Sequence, residues 1–153
     1  MKTIIIDGNN LIHKVSYLKI AFYENPENAQ LSLIESVLSK HKSKDKLIFV
    51  FDGFGKSTNK NVIFSGKVSA DEIIRKYIED NYNKKLITVV SSDGEIMRLA
   101  KICSCDAIKV EDFWTYLSKV PGGKPIETPK FKEPEKQEHM SKKELEEFKK
   151  YFS

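Results

Sequence analysis

Three short apolar runs in this chain each end at an acid followed by glycine. Ile4, Ile5 and Ile6 lead into Asp7 and Gly8; the run from Leu47 to Phe51 leads into Asp52 and Gly53; and the run from Leu86 to Val90 leads, through Ser91 and Ser92, into Asp93 and Gly94. An uninterrupted apolar run of this length reads as a strand buried on both faces, the pattern of a parallel sheet covered by helices. An acid and a glycine at its end mark a sharp turn, and Gly8 in particular reads as a residue that lets the backbone turn. Apolar residues at helical spacing follow the first and third turns. The expected layout is therefore α/β, with a mainly parallel sheet, helices on both faces, and carboxylates at the strand ends. In such sheets ligands bind in the crevice outside the carboxyl ends of the strands.

Between the first two strands the chain reads as helical from Leu11 to about Lys42, interrupted by turn residues at Asn25 to Asn28. Val62 to Ser65 reads as a short strand, at an edge. Ser69 and Glu72 have the spacing of a capping box at the head of the next helix, with Asp71 in its first turn. Ser92 with Glu95, and Ser141 with Glu144, repeat that spacing. Asp106 to Val110 reads as a last strand and Glu111 to Lys119 as a short helix, with Trp114 as a packing residue. Four of the five prolines (121, 125, 129 and 134) then fall in one segment with Gly122 and Gly123. The expected organisation is a domain over residues 1–120, a Pro- and Lys-rich linker over 121–140, and an amphipathic C-terminal helix over 141–153.

Cys103 and Cys105 are one residue apart and read as small core residues in a reducing cytoplasm, with no second Cys or His pair to complete a zinc site. No apolar run has the length of a membrane span, and no signal-peptide pattern precedes Asp7. The net charge is +4, but Lys40 to Lys67 alone carries a balance of +5. Lysines beside an acidic crevice suit a nucleic-acid enzyme, because they hold the backbone while carboxylates hold a metal. A solvated lysine-rich loop would show the same composition.

Asp7, Asp52 and Asp93 fall at strand ends, and Asp71 falls at a helix start that can face the same edge. Each alone could be a cap or a turn residue. Four together would repel one another unless a cation sits among them. Oxygen donors suit Mg²⁺ or Mn²⁺. No phosphate-binding loop and no Asp-x-Asp pattern after the first strand is present.

Taken in order, Ile4 to Ile12, Phe49 to Gly53, Val62 to Ser65, Ser69 to Ile74 and Val89 to Asp93 resemble the motifs of NYN-domain ribonucleases. They are similar in particular to the bacterial YacP-like branch of the PIN-like nuclease superfamily. Asn9 stands where members of that branch often carry an aromatic residue. The resemblance implies a three-layer α/β/α PIN-like fold and a cytoplasmic Mg²⁺- or Mn²⁺-dependent endoribonuclease. It implies metal binding by Asp7, Asp71 and Asp93, with Asp52 as a further acid and Asn10 orienting Asp7 or a water. RNA, single-stranded or messenger, is the expected partner, with a link to the ribosome and none to a membrane. Lys56, Lys60 and Lys67 are the candidate RNA-binding residues. The rival reading is an RNA- or ribosome-binding module that keeps the fold and does not cut.

Overall fold

The computed structural model describes residues 2–41, 43–57 and 59–119; the expected linker and C-terminal helix, including the Ser141–Glu144 capping box, lie outside them. Five strands form one parallel sheet in the order β3-β2-β1-β4-β5. They are β1 (Lys2–Asp7), β2 (Lys46–Phe51), β3 (Val62–Phe64), β4 (Leu86–Val90) and β5 (Asp106–Ile108). β1 is central, pairing β2 on one side and β4 on the other, with Asp7 opposite Val50 and Ile6 opposite Val90. The two-residue alternation of a strand then assigns the isoleucines. Ile4 and Ile6 enter the core on one face with Phe49 and Phe51, and Ile5 enters the other with Ile48 and Val50.

The first face is covered by α1 (Gly8–Lys14), α2 (Ser16–Glu24), α3 (Pro26–Lys40) and α6 (Val110–Lys119), which supply Leu11, Leu18, Leu33, Val37, Phe113 and Leu117. The second is covered by α4 (Ala70–Asn81) and α5 (Gly94–Ile102), which supply Ile74, Ile78, Ile96 and Ala100. The result is the three-layer α/β/α arrangement, and β3 lies at a sheet edge as expected.

Three elements differ from the sequence expectation. The helical stretch after β1 begins at Gly8 and breaks twice, at Val15 as well as at Asn25. Val15 is extended (φ −111°, ψ 112°) and its side chain is buried, so the chain bends there to keep α1 and α2 on the same core. The last strand stops at Ile108, because Val110 opens α6 and its N–H bonds to Ser92 Oγ. The Ser92–Glu95 capping box does not form. Asp93 is the N-cap of α5 instead, accepting from the N–H groups of Glu95 and Ile96, while Ser92 Oγ turns away to Glu111.

At the head of α4 Ser69 Oγ accepts the Glu72 N–H at 3.1 Å, the first half of the expected box. Trp114 packs near Tyr17 with ring centroids 6.4 Å apart. Cys103 and Cys105 are unbridged. Among the described residues no helix is long and apolar enough to cross a membrane.

Candidate active site

Parallel pairing carries β1, β2 and β4 in the same direction, so the turns that follow them meet at one edge of the sheet. Asp7 ends the central strand there, almost fully buried. It caps α1: its Oδ1 accepts the Asn10 N–H at 3.4 Å, and its Oδ2 accepts a hydrogen bond from the buried Ser91 hydroxyl at 3.1 Å. Ser91 Oγ accepts in turn from the Asp93 N–H at 3.1 Å.

The asparagines after Asp7 tie the neighbouring turns to it. Asn9 Oδ1 accepts the Asp52 N–H at 2.9 Å, and Asn10 Oδ1 accepts the Ser92 N–H at 2.8 Å. Asn10 therefore touches Asp7 through its backbone and reaches the β4 end with its side chain. Asp52 Oδ1 accepts the Ala70 N–H at 2.7 Å, which fastens the head of α4 to the end of β2. That anchor brings Asp71 to the crevice.

Gly8 is needed for closeness rather than for an unusual turn. A Cβ there would lie 2.3 Å from Cε1 of the buried Phe51 ring, so Phe51 packs directly on the turn that carries Asp7.

The electrostatics record the convergence. Burial, the dominant cause, pushes Asp7 up from 3.8 to about 6; the bonds from Asn10 and Ser91 oppose the rise, and the charges of Asp52 and Asp71 add to it. Asp71 is also raised, by burial first, with Arg75 opposing and Asp93, Glu95 and Glu72 adding. The carboxylates are close enough to feel one another. Asp71 Oδ2 pairs with Arg75 at 2.8 Å, and Arg75 also bonds Glu95.

Among the described residues no three or more Asp, Glu, His or Cys side chains already form a metal cage. Asp93 turns one oxygen to its helix, Asp52 turns one to Ala70, and Asp71 pairs with Arg75. The donor chemistry nevertheless fits a hard cation. Asp71 Oδ1 is buried with no hydrogen-bond partner, and Asp7 is a carboxyl that burial pushes up to about 6, with the charges of Asp52 and Asp71 adding to the rise.

Lys56, Lys60 and Lys67 are all exposed, on the loops around β3. Lys56 also lines a cavity beside that strand. Ser91 and Arg75 are not among the site residues expected from the sequence, where Asn9 figures only as a departure from the family pattern. Arg75 had a visible signal, lying four residues after Asp71 on one helix face. Ser91 had only its position at a strand end.

The family model of the YacP-like NYN domain matches residues 4–153. The chain belongs to the YacP-like NYN domain family. Its fold is of the nuclease type related to RNA. Solved structures share it, among them two of one bacterial protein. The crystal structure of Rae1 (YacP) from Bacillus subtilis is 25% identical, with a TM-score of 0.63 over 78% of this chain and 75% of that one. The W164L mutant of the same protein is 23% identical, with a TM-score of 0.66 over 78% and 77%. No curated protein matches the chain.

Proposed function

We propose that this YacP-like NYN domain is a divalent-metal-dependent endoribonuclease. The observation that carries the reading is Asp7: a buried carboxylate at the end of the central strand, pushed to about 6, with the charges of Asp52 and Asp71 bearing on it. Groups with such perturbed titration in a crevice mark functional sites. Asp7, Asp71 and Asp93 would hold Mg²⁺ or Mn²⁺, with Asp52 contributing to the negative field. The bound ion would supply countercharge to the carboxylates and the phosphate, and would make water a stronger nucleophile at neutral pH.

The chain's own residues do the rest. Ser91 and the Asn10 N–H hold both oxygens of Asp7 in place. Asn10 and Asn9 lock the three strand ends together, so the acids keep their spacing when RNA enters. Lys56, Lys60 and Lys67 grip the phosphate backbone. Single-stranded RNA or messenger RNA is the substrate, because a recessed carboxylate is reached more readily by a flexible strand than by a duplex. The YacP-like branch suggests the ribosome as the place where that RNA is met. The expected products carry 5′-phosphate and 3′-hydroxyl ends.

The test is cleavage of end-labelled single-stranded RNA by the full chain with Mn²⁺, Mg²⁺ or EDTA, alongside Asp71→Asn. Internal cuts that need metal and vanish in the variant support the reading; full-rate cutting by Asp71→Asn overturns the assignment. The ion pair between Asp71 and Arg75 favours a second reading, a binding module whose acids are neutralised from within. RNA binding that survives EDTA, with no cleavage under any metal, would establish that one.

A further inference from the structure

Phe54 follows Asp52 by two residues and is 79% exposed, the largest value for any described large apolar side chain. One ring atom approaches Gly66: a Cβ on Gly66 would sit 3.7 Å from the Phe54 Cε1. The ring thus touches the Gly66 turn at one point and is otherwise open to solvent, two residues beyond Asp52. The next residue, Gly55, is pressed onto Phe64, where a Cβ would lie 2.4 Å from the Phe64 Cε1. Only glycine permits that approach, so the backbone between Phe54 and Lys56 is held against the sheet edge.

Behind this loop is a cavity of about 380 Å³, between it and the head of α3. The Phe54 and Phe64 rings provide its aromatic walls, the fully buried Phe51 ring having no open face, and its polar lining includes Asn25, Gln30, Lys56 and the Glu27 carboxylate. Phe51 and Phe64 pack with ring centroids 5.7 Å apart. Phe51 is the same residue that packs on Gly8, so the cavity wall is continuous with the turn that presents Asp7.

We propose that this cavity is a subsite for one unpaired base of an RNA strand whose phosphate backbone passes over the acidic crevice. The inference rests on the ribonuclease reading of that crevice and adds the way the strand is held. The chemistry suits a base: the exposed Phe54 ring for its π face, amide and carboxylate groups for its edge, and Lys56 for the adjoining phosphate. The volume is at the lower end of small-ligand pockets, which run from about 300 to 1,000 Å³. Lys56, two residues after Phe54, and Lys67, next to Gly66, place two exposed cations on the chain segments that meet at Phe54. That pairing of an aromatic face with cations suits a nucleic-acid strand better than an apolar peptide.

The test is fluorescence anisotropy of an end-labelled oligouridine with the full chain in EDTA, where nothing is cut. Phe54→Ala should weaken binding about tenfold, the usual effect of removing one stacking platform. Phe54→Trp should retain affinity. Lys56→Ala should weaken binding and lessen its salt dependence. In oligouridines with one abasic residue walked along the strand, a single position should lose affinity with the wild type and lose no more with Phe54→Ala.

Wild-type affinity in Phe54→Ala overturns the proposal, as does equal loss in Phe54→Ala and Phe54→Trp. A cavity reserved for another part of the chain or for a protein partner would give the first of these. The two readings separate cleanly. Phe54-dependent binding without cleavage under any metal keeps the subsite and removes the nuclease. Metal-dependent cleavage with full RNA affinity in Phe54→Ala does the reverse.

Discussion

Ser91 Oγ donates a 3.1 Å hydrogen bond to Asp7 Oδ2, although 84 residues separate the two in the chain. The bond joins the ends of adjacent parallel strands and is fully enclosed. It also opposes the rise in the Asp7 pKa. Ser91→Ala should therefore do two things. Stability should fall by about 1–3 kcal/mol, because Asp7 loses a donor and the Asp93 N–H loses an acceptor. The acidic limb of the cleavage profile should move to higher pH. Urea denaturation and a pH–rate series check both, and an unmoved limb would show that Asp7 is not the group that titrates.

Asp7 itself should trade stability for function. Its pKa is about 6 in the folded protein, against the 3.8 usual for an aspartate. Between those values the folded state holds a proton that the unfolded chain has released. The associated stability is complete below about pH 4 and is lost as the pH rises through 6, about 3 kcal/mol in all. Asp7→Asn keeps a capping side chain without the charge. Without metal it should be more stable than wild type at pH 8 by about 1–3 kcal/mol, and the difference should shrink towards pH 4. Its cleavage rate should fall at least about 100-fold, the scale seen when one stabilising group is removed from a transition-state site. A variant that is less stable than wild type at pH 8 would contradict this account of the crevice.

Arg75 shares the carboxylate of Asp71 and reaches Glu95 as well. A guanidinium there opposes the entry of a second cation. Arg75→Gln should lower the Mg²⁺ concentration at which the melting temperature rises, and Asp71→Asn should abolish that rise. An unchanged Mg²⁺ midpoint in Arg75→Gln would place the ion elsewhere.

Gly8→Ala should be costly out of proportion to its size. The added carbon would meet the Phe51 ring at 2.3 Å, and that ring is fully buried. Overpacking of this kind costs about 1–3 kcal/mol. Thermal denaturation measures the loss; a neutral outcome would mean that Phe51 can move away from the Asp7 turn.

The layer architecture was legible in the chain because burial on both faces leaves a plain mark. Ile4 to Ile6 and Leu47 to Phe51 read as strands buried on both faces, and the acid and glycine after each mark where the strand stops. The acids at the sheet edge followed from those strand ends together with parallel pairing. Which partner each acid takes did not follow. Ser92 and Glu95 have the spacing of a cap, yet Asp93 caps α5 because Ser92 is drawn to Glu111 and the Val110 N–H across the sheet edge. The same holds for Ser91, Asn9 and Arg75, whose bonds to Asp7, Asp52 and Asp71 join segments that only pairing or helix winding brings together. Local spacing determined the elements, since strand and helix periods are properties of neighbouring residues. The contacts that set the charge state of Asp7, and the cavity beside Phe54, were decided by tertiary structure, since they depend on how β1, β2 and β4 end side by side.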